Sequence, residues 1–61
     1  MKAQDLKIGK WYKYKDDNES CSCKVLAIDD EKKEVVFVDD EDFEWESTFD
    51  EIPEVIVREL N

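Results

Sequence analysis

Apolar and polar residues alternate along this chain in short runs, and the period is two wherever it can be read. Leu6, Ile8 and Gly9 form an entry segment, after which Trp11 alternates against Tyr12 and Tyr14 across the two faces of a first strand. Between residues 21 and 28, Cys23, Val25 and Ala27 are expected on one face and Leu26 and Ile28 on the other. Val35, Val36, Phe37 and Val38 make a β-branched and aromatic run too short for a helix, as expected of a central strand buried on both faces. Phe43, Trp45 and Ser47 then alternate with Glu44, Glu46 and Thr48, predicting a half-buried strand with its acids outward. Phe49 to Ile52 ahead of Pro53 predicts one 3₁₀ turn, because proline restricts its predecessor and cannot continue a ladder in mid-sheet. Val55, Ile56 and Val57 supply a last strand.

Polar clusters separate these runs. Residues 16–19 and 29–33 are rich in Asp, Asn, Glu and Lys, and short polar side chains bond their own backbone in turns. Sixty-one residues make one domain, residues 1–61, near the lower limit at which a hydrophobic core suffices without metals or crosslinks. The predicted class is all-β: a small barrel of about five antiparallel strands with a 3₁₀ turn before the last.

Charge changes this picture more than composition does. Between Glu34 and Val57 stand ten carboxylates and no lysine or arginine, whereas the residues up to Lys33 hold eight basic and seven acidic side chains. The net charge of −9 therefore comes almost wholly from the second half. Six acids fall within residues 39–46, at Asp39, Asp40, Glu41, Asp42, Glu44 and Glu46. Like charges about 7 Å apart in water repel by roughly 0.6 kcal/mol per pair, and a partner with a basic surface relieves that repulsion on binding.

Several function classes are disfavoured. No histidine is present, and neither the serines nor the cysteines have an evident base, so nucleophilic catalysis has nothing to start from. Acid–base chemistry needs a carboxyl withdrawn from water, which a shallow strand face does not supply. Cys21 and Cys23 lie one residue apart, a spacing that on a strand leaves them poorly placed to bridge each other, and without histidine they cannot complete a four-ligand zinc site within one chain. No cofactor or metal is expected. Direct nucleic-acid binding is opposed by the charge, since that affinity rests on cations neutralising phosphates. The start lacks the apolar core of a signal peptide, and no run is long enough to cross a bilayer. A cytoplasmic protein, monomeric or weakly dimeric, is expected.

The order of these pieces resembles a Tudor domain, a member of the SH3-like barrels. Ile8, Gly9 and Lys10 are similar to that family's hydrophobic-x-Gly entry. Cys23 to Asp29 resembles its second strand, Val35 to Asp39 its third, and Phe49 to Ile52 its closing turn. The resemblance spans residues 6–57 and implies an SH3-like fold and an aromatic cage for methylated lysine or arginine. Carried over by position, the cage falls at Asp16 or a neighbour, Cys21, Phe37 and Asp40, of which only Phe37 is aromatic.

The sequence therefore predicts a non-enzymatic acidic module that binds a basic protein surface through Asp39, Asp40, Glu41, Asp42, Glu44 and Glu46, with Phe43 and Trp45 as apolar anchors. Occupation of the nucleic-acid site of a nucleic-acid-binding protein is a special case. Six acids over eight extended residues give one charge per roughly 4 to 5 Å, nearer the spacing of a single strand than of a duplex. The alternative is a reader of methylated or arginine-rich peptides through a cage of Tyr12, Tyr14 and Phe37.

Overall fold

Period-two alternation becomes sheet in every segment that carries it. The computed structural model describes residues 1–60, in which β1 (Trp11–Lys15), β2 (Ser20–Asp29), β3 (Glu34–Asp39), β4 (Glu44–Thr48) and β5 (Ile56–Glu59) form one antiparallel sheet in the order β4-β3-β2-β1-β5. No ladder joins β4 to β5 among the described residues, so the five strands form an open sheet.

The inner face carries Tyr12, Cys23, Val25, Val35 and Phe37, all fully buried, and Ser47 opposite Val35. Two short helical pieces cover it. A 3₁₀ turn at Ala3–Asp5 delivers Ala3 and Leu6, and α1 (Ile52–Val55) delivers Ile52, with Ile56 following at the start of β5. Tyr12 ties the entry segment down, because its hydroxyl accepts the Lys7 N–H at 2.9 Å. Gly9 beside it has φ +89°, a conformation that side chains resist, and its N–H donates to the Val25 carbonyl at 2.8 Å.

Two expectations need correction. The turn before the last strand is α-helical, not 3₁₀, and it contains Pro53. Proline is acceptable there because the first turn of a helix has no partner for its N–H groups. The last strand accordingly starts at Ile56 instead of Val55. In β2 the alternation slips: Val25 pairs with Phe37 and Ala27 with Val36, which leaves Leu26 as a bulge. Ile28 rather than Ala27 therefore packs on the core, while Leu26 and Ala27 are both exposed. β3 is the interior strand expected, with Val35, Phe37 and Val38 buried and Val36 partly so.

No helix among the described residues is long and apolar enough to cross a membrane.

Phe37 sits opposite Val25 on one side and Trp45 on the other. Truncating it leaves a cavity at the centre of the sheet. Phe37→Ala is expected to cost about 3 to 5 kcal/mol, comparable with the whole stability of a domain this small, so urea melts followed by circular dichroism should find it largely unfolded. Phe43→Ala, which removes a 65 % exposed side chain stacked on Trp45, should cost only about 0.5 to 1.5 kcal/mol.

Candidate functional site: an aromatic cluster among carboxylates at one end of the sheet

Hairpin connectivity brings the β1–β2 turn and the β3–β4 turn to the same end of the sheet. Both are built by aspartate. Asp16 Oδ1 accepts the N–H groups of Asn18 and Glu19, each at 2.8 Å, and Asp39 Oδ1 accepts those of Glu41 at 2.8 Å and Phe43 at 3.0 Å. Asp29 does the same at the opposite end, towards Glu31 and Lys32. Asp42 has φ +67°, a left-handed conformation that aspartate tolerates better than most side chains. Two acids of the 39–46 run thus have roles in forming the turn.

The rest of the run divides between two faces. Glu44 and Glu46 stand on the outer face of β4, opposite Val38 and Val36. Trp45 faces inward opposite Phe37. Asp40, Glu41 and Phe43 are exposed in the turn. The eight residues 39–46 do not make one patch, because strand alternation separates Glu44 and Glu46 from the aromatic anchor between them.

What converges instead is a group of rings. Tyr14 of β1 lies edge-on to Trp45 at 5.3 Å between centroids and to Phe37 at 6.4 Å. Phe37 and Trp45 are 5.7 Å apart, and Phe43 stacks on Trp45 at 6.0 Å with 27° between planes. Tyr14 and Phe37 were anticipated as cage residues, and the cluster joins them to Trp45 and Phe43. Tyr12 lies outside it, fully buried with its hydroxyl engaged by Lys7. Phe37 is also fully buried, so only Tyr14, Phe43 and Trp45 retain accessible surface. The buried Nε1 of Trp45 has no hydrogen-bond acceptor, and such an unpaired donor costs about 1 to 3 kcal/mol.

Carboxylates approach the cluster from the two turns. The Tyr14 hydroxyl donates to Asp16 Oδ2 at 3.2 Å. Burial, followed by the negative charge of Asp16 and its hydrogen bond and then by Glu19 and Glu51, pushes the Tyr14 phenol up to about 12. Asp16 is held below the usual carboxylate range by the two backbone N–H groups it accepts. Burial, then Glu19 and Asp39, raise the Cys21 thiol, with Asp40 adding to them and Lys13 opposing. Four carboxylates from two turns, Asp16, Glu19, Asp39 and Asp40, therefore act on this end of the molecule, whereas Glu51 accepts the Thr48 N–H at 2.9 Å past the far end of β4. Sequence adjacency concealed this grouping, since Asp16 and Glu19 lie far from the acidic run. The only available signal was that hairpin topology returns the first and third turns to one end.

Both cysteines are free. Burial pushes Cys23 up to about 12, so its thiol stays protonated and unreactive at neutral pH. Among the described residues no three carboxylates or thiols are grouped to hold a metal ion. A groove of about 850 Å³ lies at the other end, where Lys2, Lys32 and Lys33 meet Phe49. Comparison with known proteins finds no matching family model, no matching characterised protein and no matching solved structure.

Removing the turn acceptor and removing a free acid should differ. Asp39→Ala strands two N–H groups and is expected to cost about 1 to 2 kcal/mol, whereas Asp40→Ala is expected to be neutral or slightly stabilising because it lowers repulsion. Chemical denaturation distinguishes the two. Tyr14 also makes stability depend on alkali. Its folded pKa lies above the unfolded value, so its contribution is complete below pH 10.0 and lost as pH rises towards about 12. The parent protein should lose more stability over that interval than Tyr14→Phe, and equal losses would exclude this role for Tyr14.

Proposed function

We propose that this protein is a non-enzymatic interaction module, built on an SH3-like, Tudor-like barrel plan, that captures a basic surface of a partner protein at the end of the sheet where the aromatic cluster lies. The carrying observation is the meeting of exposed Phe43 and partly exposed Tyr14 and Trp45 with the carboxylates of the β1–β2 and β3–β4 turns. Aromatic anchors within a charged rim give affinity through desolvated contact and give association rate through the field. The fold part of the reading rests on the resemblance over residues 6–57, together with the antiparallel order of the sheet.

This assignment moves the binding surface. Asp39, Asp40, Glu41 and Phe43 belong to it through the turn, and Trp45 through the cluster; Glu44 and Glu46 face away on β4. A partner whose basic groove ordinarily holds nucleic acid is the special case, with carboxylates standing where phosphates would lie. The free thiols agree with a reducing, intracellular setting.

A second reading is favoured by one observation. Tyr14 and Trp45 meet nearly at right angles, 73° between planes, as two walls of a cage would. A reader of methylated lysine or arginine would then bind the modified peptide much more tightly than the plain one. Equal affinity for both favours the general basic-surface reading.

The two acidic regions can be separated by mutation. Glu19→Lys, Asp40→Lys and Glu41→Lys together should weaken capture of a basic peptide by about 1 kcal/mol per reversed charge, with an unchanged circular dichroism spectrum. Glu44→Lys with Glu46→Lys should have little effect, and parental binding should weaken steeply between low and high salt. Retained capture after the first set of changes, with loss after the second, would place the interface on the outer face of β4.

A further inference from the structure

We propose that Phe43 is a displaceable cover over Trp45, and that the slot it covers takes an arginine side chain of the basic partner. This rests on the reading of the acidic, aromatic end as a site for basic segments, and adds to it which ring moves and which cation enters.

The backbone at Phe43 is pinned. Its N–H donates to Asp39 Oδ1 at 3.0 Å, and its carbonyl accepts the Asp39 N–H at 3.0 Å. The side chain is not: 65 % of the residue is exposed, and its aromatic partner is Trp45, 6.0 Å away and nearly parallel. Displacement therefore requires only rotation about side-chain bonds, without opening the turn, and rotamer exchange of an exposed residue is fast.

The space vacated by a stacked ring is a planar slot, which suits a flat guanidinium over a tetrahedral ammonium. Trp45 offers its ring face to the cation, and the two turns at this end of the sheet carry Asp16, Glu19, Asp39 and Asp40 as the opposite charge. An arginine side chain meets both requirements, a planar shape and a positive charge. Phe43 competes with this ligand for the Trp45 face, and a stacked pair of rings corresponds to about a two- to tenfold preference for the closed form.

The test uses the full chain with capped hexa-arginine and hexa-lysine peptides, following the two indole N–H resonances by NMR. Trp11 serves as the internal reference, because it lies on the outer face beneath Lys24, whose ammonium is 5.8 Å from its ring. Expected results are movement of the Trp45 signal with hexa-arginine while Trp11 stays put, weaker binding of hexa-lysine, and two- to tenfold tighter hexa-arginine binding by Phe43→Ala. Binding with a stationary Trp45 signal, or Phe43→Ala binding equally or more weakly, would overturn the cover and leave the basic-segment site standing. Equal affinity for the two peptides would overturn the choice of arginine. If neither peptide binds at low salt, the basic-segment reading and this inference fail together.

Discussion

The packing of Phe37 against Trp45 is the contact on which both fold and site depend. Phe37 occupies the middle of β3, with Val25 beside it on β2 and Trp45 beside it on β4. It is fully buried and lies in the same cluster as Tyr12, Ile52 and Ile56. A ring in the core thus backs a ring near the surface, and Trp45 inherits a fixed position from the packing behind it. Tyr14 joins from β1 at 5.3 Å, so strands β1, β3 and β4 all contribute to one aromatic wall.

Charge in this protein has two distinct uses. Some aspartates shape the chain: Asp16, Asp29 and Asp39 each accept two backbone N–H groups from the turn that follows. These carboxylates replace the glycine-rich turns that a chain with a single glycine lacks. Other acids, such as Asp40 and Glu41, are exposed and make no such bonds among the described residues, and they contribute field rather than structure. An acidic run therefore need not be uniform in purpose, and the backbone bonds distinguish the members.

The strands were legible because alternation is a local property. Tyr12 and Tyr14 inside with Trp11 outside, or Trp45 and Ser47 inside with Glu44 and Glu46 outside, follow from period two alone. The bulge at Leu26 was not legible, since an inserted residue leaves an apolar run looking the same while reversing every side chain after it. Pro53 misled for a related reason: the residue ends a strand and starts a helix equally well, and neighbouring Ile52 chose the helix by burying itself. The acidic run was visible, but the structural use of two of its members was not: Asp39 accepts backbone N–H groups of the turn, and Asp42 takes its left-handed position. The ring cluster depends on strands far apart in sequence, so only the assembled sheet reveals it.

These relations make the aromatic, carboxylate-ringed end of the sheet, and not the outer face of β4, the place where a positive partner is held. A basic peptide carrying a paramagnetic tag tests this most directly, because its broadening of amide signals falls off steeply with distance. The account predicts broadening centred on residues 16–19 and 40–43 together. Broadening centred on Glu44, Glu46 and the outward side of β3, or confined to only one of those two turns, would contradict it.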